Sequence, residues 1–175
     1  MFLEVKDISS SNFDEIPPPC ISCLYWKDTS FVENVPKDID RRILKKKWLQ
    51  ELFQKFGFVG KILYLEDKPI GCAFYGPFEA FPSIKSYGST KISQKEVFLA
   101  CLYIVAKEHR GKGFGRFLLN SVIEDLRKRG FKAIVTFARR GSSDNPSGPL
   151  SFYLSEGFRV VDEPTKDFPL VRKDL

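Results

Sequence analysis

The stretch Arg110-Gly111-Lys112-Gly113-Phe114-Gly115 alternates glycines with cations, and the chemistry such a stretch can do is to hold an anion. A long apolar run, Glu96 to Ala106, ends just before it, and an amphipathic run, Gly113 to Arg129, begins inside it. Free backbone N–H groups at a helix start, together with the positive end of the helix dipole, favour phosphate there. Glycines let the backbone approach phosphate oxygens because no Cβ stands in the way. Arg110, Lys112 and Arg116 add positive charge. Spacing separates three phosphate-binding patterns. A P-loop needs Gly-x-x-x-x-Gly-Lys-Ser/Thr, which is absent. A dinucleotide loop needs Gly-x-Gly-x-x-Gly, but the third glycine position, counted from Gly111 or Gly113, holds Arg116 or Leu118. The pattern that fits is Arg/Gln-x-x-Gly-x-Gly/Ala, met by Arg110, Gly113 and Gly115. The alternative is a tight strand-to-helix turn with no ligand.

The four cysteines offer less. Cys20 and Cys23 form one Cys-x-x-Cys pair, while Cys72 and Cys101 lie inside apolar runs, where cysteine behaves as a small hydrophobe. A structural zinc site wants four ligands, and the lone histidine, His109, sits in the glycine loop. No metal is therefore expected. A Cys20–Cys23 disulfide is disfavoured inside a cell, which leaves loop packing as the expected role.

These residues need elements to position them. Residues 2–8 alternate as a first strand, and 9–37 read as irregular. Residues 38–56 suit a helix: Asp38 or Asp40 can cap it, Ile43, Leu44, Trp48, Leu52, Phe53 and Phe56 recur at helical spacing, and Gly57 ends it. Strands at 61–66 and 70–75 form a hairpin across Asp67-Lys68-Pro69, and 76–94 read as a loop. The strand 96–106 leads through the glycine loop to a helix at 113–129 with Phe114, Phe117, Leu118, Val122 and Leu126 on one face, stopped by Gly130. A strand at 132–138, a short helix at 149–156 and strands at 158–161 and 170–172 complete an α/β fold, a mixed sheet with helices on both faces.

A chain of 175 residues suits one domain, residues 1–175, and its 43% apolar content, with 17 phenylalanines, suffices for a core. No apolar run approaches the roughly 20 residues of a membrane helix, and the N-terminus reads as a strand rather than a signal peptide. A soluble, cytoplasmic protein is expected. The formal charge of +6 collects in residues 41–47, 107–116 and 127–129. It suits a polyanionic cofactor, a solvated helix face or nucleic acid. Nucleic acid is disfavoured because the basic residues are not interleaved with aromatics in a recognised motif.

With the elements in this order, followed by Asn145-Pro146 and Phe152-Tyr153-Leu154-Ser155-Glu156-Gly157-Phe158, the sequence resembles the GCN5-related N-acetyltransferase (GNAT) family over most of its length. Residues Cys20-Ile21-Ser22-Cys23-Leu24-Tyr25-Trp26 also resemble an uncharacterised branch of that family. The resemblance implies a mostly antiparallel, twisted sheet of about six to seven strands. It also implies a V-shaped splay between the cofactor strand and the next.

It implies acetyl-CoA as co-substrate and direct attack by a primary amine in a ternary complex. A coenzyme A sensor of the same fold is the alternative. The N–H groups of Gly111 to Arg116, including Lys112, Gly113, Phe114 and Gly115, would hold the pyrophosphate, with Arg110 at the head of the motif. Tyr103, Ile104 and Val105 would pair with the pantetheine arm, and Asn145 would contact the cofactor. Tyr153 matches the tyrosine that protonates the departing thiolate; the alternative is a tyrosine packed under its helix. A glutamate on the cofactor strand often acts as base in the family, which points to Glu96, with Glu79 as a second option. Tyr25, Trp26 and Tyr75 would line the acceptor site or else close the core. The expected partners are a small-molecule or peptide amine and, as an open option, a second copy in a homodimer.

Overall fold

The computed structural model describes residues 1–28, 40–88, 92–142 and 144–175. Leu3–Asp7 forms a strand, β1, as expected. The helix α1 (Arg41–Phe56) is capped by the Asp40 side chain, which accepts from the Arg42 N–H at 2.9 Å, and it ends at Gly57 with φ +80°. Asp38, the other proposed cap, lies outside the described residues. The face α1 buries differs from the expected one: Lys45, Trp48 and Leu49 are buried, whereas Ile43 and Phe53 are exposed. At 100° per residue Lys45 falls in the centre of the Trp48–Leu49–Leu52–Phe56 stripe and Ile43 falls opposite it.

The hairpin β2 (Gly60–Leu65) and β3 (Lys68–Pro77) turns at Glu66 and Asp67, both at positive φ, rather than at 67–69. Two left-handed residues match the twist of paired strands. Pro69 sits in β3 beside a register shift between Leu63 and Tyr64, the kind of irregularity at which proline is tolerated in a strand. Beyond Pro77 the expected loop carries two 3-10 turns, Phe78–Ala80 and Pro82–Tyr87.

Strand β4 (Glu96–Ile104), helix α2 (Phe114–Lys128) and strand β5 (Ala133–Phe137) follow as expected. Phe114, Leu118, Leu119, Val122, Ile123 and Leu126 bury one side of α2, while Phe117, expected inward, is exposed. A short helix α3 (Leu150–Ser155) and strands β6 (Arg159–Asp162) and β7 (Leu170–Asp174) complete one seven-stranded sheet in the order β1-β2-β3-β4-β5-β7-β6.

All neighbours are antiparallel except β4 and β5, whose crossover is α2. The sheet separates two cores. One contains Trp26, Trp48, Phe74, Phe98 and Phe137 on the α1 side, and the other contains Leu99, Leu118, Leu126 and Tyr153 on the α2 side. Among the described residues no helix is long and apolar enough to cross a membrane, and no cluster of His, Cys, Asp or Glu could hold a metal ion.

Candidate active site

Two irregularities in β4 create the site. The first is a bulge: Phe74 pairs with Cys101 and Tyr75 with Leu99, so Ala100 is an extra residue. Ala100 and Cys101 both join the α1-side core, while Leu99 and Leu102 face α2. The second is an early end to pairing. The β4–β5 ladder runs only from Glu96↔Ala133 to Phe98↔Val135, although β4 continues to Ile104. The far half of β4 therefore presents one backbone edge to a gap beside β5.

That edge is defined by its hydrogen bonds. The Val105 N–H donates to the Ile70 carbonyl on the β3 side, while its carbonyl accepts from Arg110. Leu102 and Ile104 turn toward it: the Leu102 N–H donates to the Pro146 carbonyl at 3.0 Å, and the Ile104 carbonyl accepts from Arg110 Nε at 2.8 Å. The exposed edge thus begins at Leu102, one residue earlier than the expected stretch Tyr103–Val105. Leu102 was missed because a bulge cannot be seen in an unbroken apolar run.

The glycine loop lies where expected. Gly111 and Gly113 take φ +72° and +84°, and Gly113 is the N-cap of α2 with no side-chain cap bond. Left-handed backbone explains both glycines, since a Cβ at either would meet nothing. Gly115 is different. Its φ is ordinary, and a Cβ there would stand 3.8 Å from Leu102 and from the Phe152 ring. Open space in front of it, rather than backbone strain, is what its missing side chain provides.

A groove of about 700 Å3 runs from the β4 edge to this loop, lined by Leu102, Tyr103, Ile104, His109, Arg110, Gly111, Gly113, Gly115, Arg116, Asn145, Gly148, Pro149 and Phe152. Lys112 and Phe114 are not in its lining: Lys112 is exposed and Phe114 is buried in the α2 face. The Arg110 guanidinium is not simply a free charge. It donates to the carbonyls of Ile104 and Val105 and to the Tyr103 hydroxyl, stacks over the Tyr103 ring, and so ties the loop to the end of β4. Arg116 pairs with Glu156 at 2.6 Å.

The segment 144–148 lies across this groove. The Asp144 carboxylate accepts from Arg110 Nη1 at 2.7 Å and pairs with Lys107 at 3.2 Å, and the Arg110 bond holds its carboxyl below the usual carboxylate range. Pro146 covers the Leu102 N–H, and Gly148 covers Tyr153. Tyr153 is completely buried and its hydroxyl has no hydrogen-bond partner among the described residues. The nearby Thr136 hydroxyl is committed to the Leu99 carbonyl at 2.7 Å. Burial pushes the Tyr153 phenol well above its ordinary value. An orphaned buried hydroxyl beside a groove is a group that lacks its partner.

A second cavity, about 490 Å3, opens on the α1 side and shares Asn145 with the groove. Tyr25 and Trp26 line it, together with Tyr87, Phe168, Arg41 and Cys101. The Lys45 amine is wholly buried behind its wall. It donates to the Cys23 carbonyl at 2.8 Å and lies over the Phe74 ring at 4.1 Å. Burial lowers its proton affinity.

Other expected residues lie elsewhere. Tyr75 points into the α2-side core and donates to Asp125 at 2.8 Å, on the opposite face of the sheet from Tyr25 and Trp26. Glu96 is buried at the far end of β4, where it forms an ion pair with Arg172 and accepts from the Ser93 N–H. Glu79 is exposed and pairs with Lys55. Neither carboxylate lines the groove or the cavity. The cysteines are free, with Cys20 and Cys72 buried, Cys101 half-buried and Cys23 exposed.

The family model of the acetyltransferase (GNAT) family matches residues 21–158. No curated protein matches the chain. Among solved structures, the PaiA N-acetyltransferase of Thermoplasma acidophilum in complex with coenzyme A is similar with a TM-score of 0.64 and 18% identity, covering 100% of both chains. The ribosomal-protein-alanine N-acetyltransferase of Brucella melitensis gives 0.63 and 22%, covering 98% of this chain and 99% of that one. The ribosomal-protein-S18-alanine N-acetyltransferase of Escherichia coli gives 0.58 and 14%, covering 99% and 94%. At these identities the likeness is one of fold.

Proposed function

The chain belongs to the acetyltransferase (GNAT) family and is an acetyl-CoA-dependent acetyltransferase; from that premise we propose that the groove between β4 and α2 holds the donor and the cavity lined by Tyr25 and Trp26 holds the amine. One observation carries this reading. The groove and the cavity lie on opposite faces of the sheet and share Asn145 at the gap where β4 and β5 cease to pair. A thioester reaching through that gap from the groove would meet an amine from the cavity.

The residues present fit a coenzyme A thioester. The first N–H groups of α2 and the two left-handed glycines form an anion cradle, Gly115 leaves room in front of it, and the orphaned Tyr153 hydroxyl awaits a partner. Acetyl-CoA supplies an activated acyl carbon. The chain's own groups do the rest. The N–H groups of residues 111–116 hold the pyrophosphate. The backbone of Leu102 and Ile104 pairs with the pantetheine arm once Pro146 is displaced. An N–H at the Ala100 bulge steadies the oxyanion. Tyr153 gives its proton to the departing sulfur, a role that a phenol kept protonated by burial can fill at any working pH. Among the described residues that line the cavity there is no carboxylate, so the amine enters already neutral and its proton leaves through water beside the Tyr25–Tyr87 hydroxyl pair.

The experiment is acetyl-CoA binding by calorimetry together with thiol release over a panel of primary amines, for the parent chain and Gly115→Leu. A leucine there fills the groove without straining the backbone. Loss of binding with an unchanged circular dichroism spectrum is expected. Unchanged affinity would place the donor elsewhere.

A further inference from the structure

The cavity on the α1 side carries information about the acceptor that the donor groove does not. Its walls are aromatic and fixed. Trp26 stacks on Tyr87 at 5.6 Å and 22°, and Tyr87 in turn stacks on Phe137 at 4.3 Å and 14°. Tyr25 meets Trp26 edge-on at 5.0 Å, and its hydroxyl lies 2.7 Å from that of Tyr87. Phe168 packs edge-on against Tyr87 from the other side. Rings held this way present apolar surface without losing further rotamer freedom when a flat body binds. A volume of about 490 Å3 has room for one ring and a short arm.

The charge of the cavity is equally distinctive. Among the described residues that line it, Arg41 carries the one formal charge. Arg41 is half-buried at the first position of α1 and has no ion-pair partner among the described residues. That sets it apart. Every other described arginine pairs with a carboxylate except Arg127, which is exposed. A guanidinium left unpaired at the wall of an apolar cavity recognises a carboxylate strongly, through paired N–H donors in a setting of low dielectric. It also repels a second cation on the ligand.

We propose that the acceptor is a primary amine on an aromatic-sized apolar body that also bears a carboxylate, with Arg41 binding the carboxylate. The amine then faces the Cys101 and Asn145 side of the cavity, where it adjoins the donor groove. Polyamines and other polycations are excluded by the same charge. This assignment rests on the donor reading above, so acetyl-CoA binding is measured first. Its absence in the parent chain would strike that reading rather than the acceptor class.

With acetyl-CoA bound, thiol release is compared for 4-(aminomethyl)benzoate, its neutral analogue 4-(aminomethyl)benzamide, and spermidine. The acid is expected to exceed the amide in kcat/KM by roughly tenfold or more, the scale of one charge-assisted contact, and spermidine to be the poorest. In Arg41→Gln the acid-to-amide ratio is expected to fall toward one, through a higher KM for the acid, with acetyl-CoA affinity retained. The proposal is overturned if the acid is no better than the amide, if its advantage survives Arg41→Gln, if spermidine is preferred, or if none of the three is acetylated by protein that binds acetyl-CoA.

Discussion

The Tyr153 hydroxyl lies directly beneath Gly148: a Cβ at Gly148 would come within 3.1 Å of that oxygen. Gly148 lines the donor groove and sits at φ +78°, so one glycine is all that separates the proposed acid from the groove. Because the hydroxyl has no hydrogen-bond partner among the described residues, its removal costs them nothing in bonding. Tyr153→Phe is expected to lower kcat by about 100-fold. It should leave acetyl-CoA affinity unchanged and the melting temperature equal or higher. An unchanged turnover rate would remove Tyr153 from the chemistry, and a clear fall in melting temperature would show that the hydroxyl does have a partner.

In the proposed donor groove, Asp144 would compete with acetyl-CoA for the cationic end. It is bound by Arg110 and Lys107 and tied through them to the glycine loop. Asp144→Ala should therefore tighten acetyl-CoA binding a few-fold. The pairing holds the Asp144 carboxyl below its ordinary value, so the contact is complete above that value and is lost only as pH falls through the lowered one. The gain in affinity should accordingly stay constant from about pH 6 to 8. Weaker binding in the variant would mean that Asp144 helps the donor instead.

Lys45 tests the acceptor wall. Its bond to the Cys23 carbonyl fixes residues 20–26 against α1. Lys45→Met should raise the acceptor KM while leaving acetyl-CoA affinity alone. The stability readout depends on pH. Burial lowers the folded-state affinity of this amine for its proton, so in alkaline solution the unfolded chain binds the proton more readily than the folded one. Folding then strengthens as pH rises toward the ordinary lysine value of 10.5. The parent chain should gain in melting temperature relative to Lys45→Met between pH 7 and 10.5; parallel curves would count against a buried, perturbed amine.

Glu96 lies away from both the groove and the cavity, and a structural role is predicted for it. Its ion pair with Arg172 joins β4 to β7 across β5, with the glutamate buried and the arginine partly exposed. Glu96→Gln is expected to cost roughly 1–3 kcal/mol of stability, read by denaturant titration. Its kcat, measured where the variant is folded, should match the parent. In both proteins kcat/KM should climb with pH until the acceptor's own amine is neutral, since the described residues that line the cavity include no carboxylate to remove its proton. A selective fall in kcat would return Glu96 to the role of base.

The glycine loop, the strand before it, the helix after it and the placement of Tyr153 were legible in the sequence because each depends on local rules. Positive φ favours glycine, a buried strand favours an apolar run, and a helix shows its period. The turn at Glu66-Asp67 was not legible, because two non-glycine residues took left-handed backbone to satisfy the twist of strands paired around them. The roles of Tyr75 and Glu96 were not legible either. Which face of the sheet Tyr75 joins depends on its partners across β4, and the fate of Glu96 depends on Arg172, which is remote in sequence and adjacent in space.

By itself, then, the sequence determined the glycine turn and the order of the elements on either side of it. Tertiary structure alone decided where β4 and β5 part, that Leu102 rather than Tyr103 begins the open edge, and that Lys45 is buried behind the wall of the Tyr25–Trp26 cavity. It also gathered Tyr25, Trp26, Tyr87, Phe168 and Arg41 into one cavity. The reason is the range of the forces concerned. Backbone conformation is set by neighbouring residues, whereas pairing register, burial of a charge and the lining of a cavity are set by whichever distant segments the packed sheet brings together.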